Sequence, residues 1–287
     1  MNLKPIEALG TVWHLEIFEM VPDTKSLHVD IVAWLEEFES KYSRFRSDSW
    51  LSILNQTEVF HNPDPQFVDL LQLSLQFYEK TNGVFNVAIG EKLVHAGYDA
   101  TYSFTSGKQE VVVPELPNVL TVTDQKITLL DGQLDVGGIG KGYAIDALGK
   151  YLQIKHGLSY FLINGGGDMY ATSDNGQPIK IELAHPHDNT LSIGNLELYN
   201  SGFASSSPNL RAWPDSKTET TQNHLLTKNH NTSYVAAPSA TEADVWATTL
   251  CIDQTVQRPK HVHVLVLDKT AINLHDRVFN VYSKSKI

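Results

Sequence analysis

The segment LDVGGIGKGYAID, at residues 134–146, is the most informative part of the sequence for the architecture of the chain. Four of the six residues at 137–142 are glycine, with a strand-like segment before them and a helical pattern of apolar residues from Tyr143 onward. Glycine lets a backbone approach another group closely, and the N–H groups at a helix start attract phosphate. The segment therefore predicts a tight strand-to-helix turn, and the sequence leaves open whether that turn binds an anion.

Neither familiar phosphate-binding pattern fits this segment. A P-loop requires a glycine five residues before its Gly-Lys pair and Ser or Thr after it, but Asp135 and Gly142 occupy those positions. A dinucleotide fingerprint requires the spacing G-x-G-x-x-G, which the glycines at 138, 140 and 142 do not have. Any anion bound here must be held by another arrangement.

The remaining hydrophobic pattern predicts a mixed α+β chain. Apolar residues three and four apart predict helices across 31–45, 67–78, 143–156 and 239–252, with Gly83 and Gly157 ending the second and third. Short apolar or alternating segments predict strands at 9–18, 160–163, 179–183, 191–198 and 262–267, and within 111–131. The polar residues 201–239 are predicted to form a long loop. No repeat or linker marks a boundary, so we expect a single domain covering residues 1–287.

Composition excludes several classes of protein. The chain has 22 Lys and Arg against 33 Asp and Glu, a net charge of -11, and would repel a nucleic-acid backbone. No segment approaches the roughly 20 apolar residues of a membrane span, and no secretion signal is recognised at the start, so we expect a cytoplasmic protein. The one cysteine, Cys251, excludes an internal disulfide and a cysteine-cluster metal site.

The segment ADVWAT at residues 243–248 points to a cation. Ser239 and Glu242 have the spacing of a capping box, which starts a helix at Ser239. Asp244 and Thr248 then share one face, and we expect Asp244 to be partly solvated. A carboxylate and a hydroxyl are ligands that suit Mg²⁺. The alternative is structural: Thr248 bonds back to the Asp244 carbonyl, and Asp244 only favours the helix start.

Taken in order, these segments resemble the ApbE family, the FAD:protein FMN transferases. The similar motifs extend over nearly the whole chain: LGT at 9–11, YSRFR at 42–46 with SWLS at 49–52, TNGVFNVAIG at 81–90, the glycine segment followed by INGGGD at 163–168, ASSSPNLR at 204–211 and ADVWAT at 243–248. Each motif is modest alone, but six in the same order indicate the family.

The resemblance implies an ApbE-like, T-fold-like α+β domain and a definite reaction. The family uses Mg²⁺ to transfer the FMN part of FAD onto a Ser or Thr hydroxyl of an acceptor flavoprotein, releasing AMP. Its metal ligands match the Gly140 carbonyl, Asp244 and Thr248 here. The positions that match residues near the flavin nucleotide are Leu9, Phe85, Asn86, Gly137, Gly140, Lys141, Tyr143, His224 and Leu225. His224 also matches the family's functional histidine, which implies a catalytic role in activating the acceptor hydroxyl.

The sequence departs from the family pattern at three places. Residues 227–231, TKNHN, replace D-P-x-T-G; Ser207 and Pro208 replace Gly and Asp; and Asn86 stands where Asp is usual. Two alternatives therefore accompany the transferase. One is an FAD pyrophosphatase, in which water attacks and FMN and AMP are released. The other is a non-catalytic FAD-binding protein.

Overall fold

The computed structural model describes residues 1–105, 107, 111–186, 188–209, 212–214, 221–268, 271–274 and 276–282. Contacts within the chain divide it into two compact units. The first unit comprises Met1–Glu36, Lys141–Leu210 and Asn229–Ile287, and the second comprises Glu37–Gly140 and Arg211–Lys228. Both contain helices and antiparallel strands, so the predicted mixed α+β class is confirmed.

The described residues form seven helices and sixteen strands. The helices are α1 (Thr24–Tyr42), α2 (Trp50–Thr57), α3 (Pro65–Lys80), α4 (Gly90–His95), α5 (Leu116–Val119), α6 (Gly137–His156) and α7 (Ala240–Ile252). The strands are β1 (Ile6–Ala8), β2 (Thr11–Ile17), β3 (Val59–His61), β4 (Leu120–Val122), β5 (Lys126–Leu129), β6 (Tyr160–Gly165), β7 (Asp168–Ser173), β8 (Ile179–His185), β9 (Asp188–Leu198), β10 (Ser201–Ser206), β11 (Ala212–Pro214), β12 (Thr221–Asn223), β13 (Thr232–Ala237), β14 (His263–Asp268), β15 (Ala271–Leu274) and β16 (Asn280–Val281).

The first unit is built on an eight-stranded antiparallel sheet with the order β1-β2-β6-β7-β10-β13-β14-β15. Successive strand residues point to opposite faces. Phe203, Tyr234 and Leu265 therefore pack with the three-stranded sheet β16-β9-β8. Their neighbours Ala204 and Val235 pack on the other face against α7. The central strands are thus buried on both sides.

The polar segment 201–239 is not the long loop that its composition predicts. It contributes β10 and β13, two neighbouring central strands, with residues 210–211 and 215–220 lying outside the described part. Small polar side chains are buried in these strands: the Thr232 hydroxyl donates to Ser207 Oγ at 3.0 Å, whereas the buried Ser233 Oγ has no hydrogen-bond partner among the described residues. The prediction is wrong because composition does not show which polar residues are buried inside the fold.

The glycine segment is also different from the prediction. Helix α6 begins at Gly137, not at Tyr143, so all four glycines are helical and none has a positive φ. One of them, Gly142, allows a tight approach between two helices. A Cβ on Gly142 would lie 2.4 Å from the Ala240 carbonyl oxygen at the start of α7. Gly157, with φ +66°, follows the last residue of α6, as predicted.

Other boundaries differ by a few residues. The predicted first strand is a hairpin, because Leu9 (φ +53°) and Gly10 (φ +68°) form a turn between β1 and β2. Helix α1 ends at Tyr42 and leaves Phe45 outside. Helix α3 has the predicted apolar face, whereas α7 is confirmed as a helix but is buried on most of its sides. No helix in the described ranges has the length and apolar content needed to cross a bilayer.

Cys251 lies near the end of α7 and is fully buried. Its thiol donates to the Asn231 carbonyl oxygen at 3.2 Å. Burial raises the pKa of Cys251 to about 12, because the thiolate would lose its hydration. The side chain is therefore a small packing group in the native protein.

Candidate active site

The start of α7 is held by two side chains. Ser239 caps the helix, its hydroxyl oxygen accepting the N–H of Glu242 at 3.1 Å, as the sequence predicts. Asp146 of α6 accepts the N–H groups of Ala240 and Thr241 at 2.9 and 2.8 Å. A carboxylate at this position is favoured by the positive end of the helix dipole. Asp146 therefore fixes the start of α7 against α6.

Three charged side chains meet one turn further along these helices, and we call them the charge cluster: Lys141 of α6, Asp168 of β7 and Asp244 of α7. The Lys141 ammonium lies 2.5 Å from Asp168 Oδ2 and 3.3 Å from Asp244 Oδ2. Asp244 Oδ2 also accepts the N–H of Gly142 at 3.1 Å. The side chains of Asp168 and Asp244 are only 4% and 6% exposed. The expectation of a partly solvated Asp244 is wrong, because this residue lies in the second turn of a buried helix.

The electrostatics of the charge cluster are dominated by burial. Burial raises the pKa of Asp168 to about 7; the Lys141 ammonium opposes this rise and the Asp244 carboxylate adds to it. The Ser205 backbone N–H also stabilises the Asp168 carboxylate. With both carboxylates ionised, the cluster carries one positive and two negative charges. One negative charge is thus left for a further cation.

Asp244 and Thr248 carry oxygen atoms of the kind that Mg²⁺ accepts as ligands. Thr248 lies one turn after Asp244 and is half-buried. The bond back to the helix backbone is made by the next residue, Thr249, whose hydroxyl donates to the Val245 carbonyl at 2.8 Å. No such bond from Thr248 is found in the described part of the chain. The described residues also contain no group of three or more His, Cys, Asp or Glu side chains placed for a metal. A metal at Asp244 would therefore be completed by neutral oxygens and water.

In the first unit, the predicted nucleotide residue Lys141 directly contacts the predicted metal ligand Asp244. Leu9 lies in the β1–β2 turn of that unit, and Tyr143 is buried in α6. The other predicted residues belong to the second unit: Phe85, Asn86, Gly137, Gly140, His224 and Leu225.

Arg44 and Asp135 organise the start of α6, and the functional prediction did not single them out. Asp135 Oδ1 accepts the N–H of Gly137 at 2.6 Å, and its Oδ2 forms an ion pair with Arg44. Arg44 also donates to the Tyr98 carbonyl at 2.7 Å. Arg44 belongs to the YSRFR motif, so the sequence did mark this residue as part of the family pattern. Its ion pair with Asp135, which is distant in sequence, could not be predicted from the motif.

His224 lies in a turn after β12. The turn is organised by Asn223, whose Oδ1 accepts the N–H of Leu225 at 3.1 Å and whose Nδ2 donates to the Thr227 carbonyl at 2.7 Å. Asparagine commonly bonds to nearby backbone in this way. Leu225 is buried and anchors the turn. Asn223 therefore organises the backbone of the turn that carries His224, and the sequence analysis did not single it out.

Phe85 and Asn86 follow helix α3. Phe85 is buried, and its N–H donates to Thr81 Oγ1 at 3.1 Å. Asn86 Nδ2 donates to the Pro114 carbonyl at 2.9 Å, and its Oδ1 accepts the N–H of Ala88 at 2.9 Å. The asparagine that departs from the family pattern is therefore bonded to the protein through both ends of its amide.

We expect Asn86→Asp to lower the free energy of unfolding by about 1–3 kcal/mol at pH 7, because a carboxylate would face the Pro114 carbonyl without a donor. The carboxyl pKa would then be raised in the folded state above its ordinary value of about 4. Stability is lost as the pH rises through that range, so the difference from the parent should be smaller at about pH 4. Urea unfolding at both pH values measures it, and equal stability at pH 7 would refute the role of the amide.

The fold is one found in flavin transferases. The flavin transferase ApbE of Vibrio cholerae matches with a TM-score of 0.74 and 22% identity, covering 100% of this chain and 98% of that one. The ApbE protein of Thermotoga maritima matches with a TM-score of 0.76 and 19% identity over 96% of both chains.

Sequence similarity gives the family. The model of the ApbE family matches residues 9–265, and the chain belongs to that family. The FAD:protein FMN transferase of Klebsiella pneumoniae (strain 342) is 24% identical over 280 residues, which is 86% of this chain and 77% of the relative. That of Escherichia coli K12 is 24% identical over 277 residues, covering 86% and 76%.

Proposed function

We propose that this chain is a magnesium-dependent FAD:protein FMN transferase, which moves the FMN part of FAD onto a Ser or Thr hydroxyl of an acceptor flavoprotein and releases AMP. The observation that carries the proposal is the buried Asp244 carboxylate, which has a cation 3.3 Å away at Lys141. The relatives named above bear the name of this activity. The family match at residues 9–265 includes parts of both units, which supports the proposal that residues 1–287 act as one functional domain.

The proposed metal ligands are the Gly140 carbonyl, Asp244 and Thr248. They fit Mg²⁺ because all three offer an oxygen ligand and because the charge cluster has an uncompensated negative charge when both of its carboxylates are ionised. The Lys141 ammonium beside Asp244 is itself a cation, which supports a preference for positive charge at this place. A bound Mg²⁺ supplies charge neutralisation on the pyrophosphate oxygens of FAD. An acidic chain needs such a local source of positive charge, since its net charge is -11.

Residues of the chain supply the remaining functions. The Lys141 side chain is 23% exposed, and we propose that its ammonium contacts a phosphate oxygen of FAD. We propose that His224 accepts the proton of the acceptor hydroxyl as that oxygen attacks phosphorus. Asn223 supports this proposal by ordering the backbone of the turn that carries His224. Gly137, Gly140 and Tyr143 of α6, with Leu9, Phe85, Asn86 and Leu225, are proposed to contact the flavin nucleotide.

Product analysis tests this function. The purified chain is incubated with FAD, Mg²⁺ and an acceptor flavoprotein that carries a Ser or Thr flavinylation site. We expect FMN bound covalently to the acceptor, with one AMP released for each FMN transferred. Free FMN with AMP would instead indicate a pyrophosphatase. Intact FAD bound to the protein would indicate a non-catalytic FAD-binding protein, the reading favoured by the altered residues 227–231.

We expect His224→Ala to bind FAD as the parent does and to slow transfer by about 10²–10⁴-fold, the usual contribution of a general base. His230→Ala is the matched control, because His230 is exposed in the segment that follows the turn. FAD affinity is measured by calorimetry and transfer by acceptor-bound flavin fluorescence. Transfer at the parental rate in His224→Ala would remove His224 from the mechanism.

A further inference from the structure

The charge cluster contains one carboxylate more than the proposed metal site uses. Lys141 lies closer to Asp168 than to Asp244, at 2.5 Å against 3.3 Å. Asp168 is neither a proposed metal ligand nor a proposed nucleotide-binding residue. An almost fully buried carboxylate is costly unless a charge or hydrogen bonds compensate it, so its place beside Lys141 calls for an explanation.

Asp168 is held firmly in its place. It is the first residue of β7 and pairs with Gly165 across a two-glycine turn, in which the N–H of Gly167 donates to Asn164 Oδ1 at 2.8 Å. The Ser205 backbone N–H of neighbouring β10 bonds to the Asp168 carboxylate. The carboxylate is therefore a fixed point, while the lysine side chain that it meets is long and flexible.

We propose that Asp168 is a positioning residue, which holds the Lys141 ammonium and thereby leaves Asp244 able to bind a divalent cation. This inference rests on the proposed metal role of Asp244. Without Asp168, the ammonium would pair with Asp244 alone, and a metal ion would have to break a buried ion pair and leave a lysine without a counter-charge. With Asp168 present, Lys141 keeps a carboxylate when the metal takes Asp244.

The charges lead to a specific expectation for variants. Asp168→Asn leaves one positive and one negative charge, so the cluster loses its excess negative charge. The double variant Lys141→Met with Asp168→Asn leaves Asp244 as the only charge, and the net charge returns to that of the parent. A purely structural role for Asp168 predicts the opposite order, because the double variant removes more native contacts.

The test is calorimetric titration with MgCl₂ in the absence of FAD, at about pH 8, above the raised pKa of Asp168. We expect Asp168→Asn to weaken Mg²⁺ binding by about tenfold or more, and the double variant to bind within about threefold of the parent. Asp30→Asn is the control for loss of one carboxylate, since Asp30 pairs with Lys155 at 3.1 Å elsewhere in the first unit. It should bind Mg²⁺ as the parent does.

Parental Mg²⁺ affinity in Asp168→Asn would overturn the proposal, as would a double variant that binds as weakly as Asp168→Asn. If Asp168→Asn does not fold, the double variant decides alone, because loss of its Mg²⁺ binding contradicts the charge argument. Asp244→Asn separates this inference from the proposed function. Unchanged Mg²⁺ binding in that variant would refute the metal site itself, whereas lost binding there with normal binding in Asp168→Asn would refute only the role of Asp168.

Discussion

Asp244→Asn is expected to abolish Mg²⁺-dependent transfer of FMN, with a fall in rate of at least about 10³-fold, because the charged metal ligand is lost. Asparagine is preferred to alanine because the site is buried. Its amide oxygen can still accept the N–H of Gly142, and no cavity is left. Lys141 retains Asp168 as its counter-charge, so the variant should fold.

Transfer is measured as covalent flavin on the acceptor over a range of Mg²⁺ concentrations. Asp253→Asn is the control at the end of the same helix. Asp253 is the residue that follows α7, and its Oδ1 accepts the N–H of Thr255. We expect that control to transfer at the parental rate. Parental Mg²⁺ dependence in Asp244→Asn would show that the metal lies elsewhere.

Gly142→Ala is expected to lower the free energy of unfolding by about 3 kcal/mol, even though alanine is the better helix former by about 1 kcal/mol. The new Cβ would lie 2.4 Å from the Ala240 carbonyl oxygen and 2.8 Å from Thr241 Cα. These are backbone atoms, and the Asp146 carboxylate holds them in place. The clash can be relieved only by moving the start of α7 away from α6.

Gly140→Ala is the matched variant two residues earlier in α6. Its nearest neighbour would be Val136 Cγ2, at 3.4 Å from the new Cβ, which is an ordinary contact. We therefore expect this variant to be as stable as the parent or more stable by up to about 1 kcal/mol. Urea unfolding followed by circular dichroism compares the pair. Equal stability of the two variants would contradict the close packing of α6 against α7.

The parts of the fold that could be predicted are those in which the spacing of apolar residues along the sequence is regular. Helices α3 and α7 follow from apolar residues three and four apart, and β6, β8 and β9 from compact apolar segments. Strand β13 did not follow, because Thr232 and Ser233 are polar residues whose burial depends on neighbouring strands. The prediction of a tight turn at the glycines of α6 was wrong for a similar reason. The close approach at Gly142 comes from Ala240, about 100 residues away in sequence, which no local pattern can show.

The candidate site, like the fold, could be predicted only in part from the sequence. The sequence indicated Asp244 and Thr248 through their spacing on one helix face, and the family resemblance added Lys141 and His224. Burial of Asp244 could not be predicted, since it depends on how α7 packs. Asp168 was visible only as the end of a glycine cluster. Its pairing with Lys141 joins a strand to a helix 27 residues earlier, and only the folded structure shows such a pairing.

Because Cys251 is buried, the reactivity of its thiol can be used to measure local unfolding around α7. A thiol reagent can modify this side chain only when α7 separates from its surroundings, because the native thiol is covered and protonated. Since the chain has a single cysteine, the modification rate follows one helix without any added label. That helix also carries Asp244 and Thr248. The rate at which a thiol reagent modifies Cys251 therefore measures how often the helix that carries two of the proposed metal ligands opens.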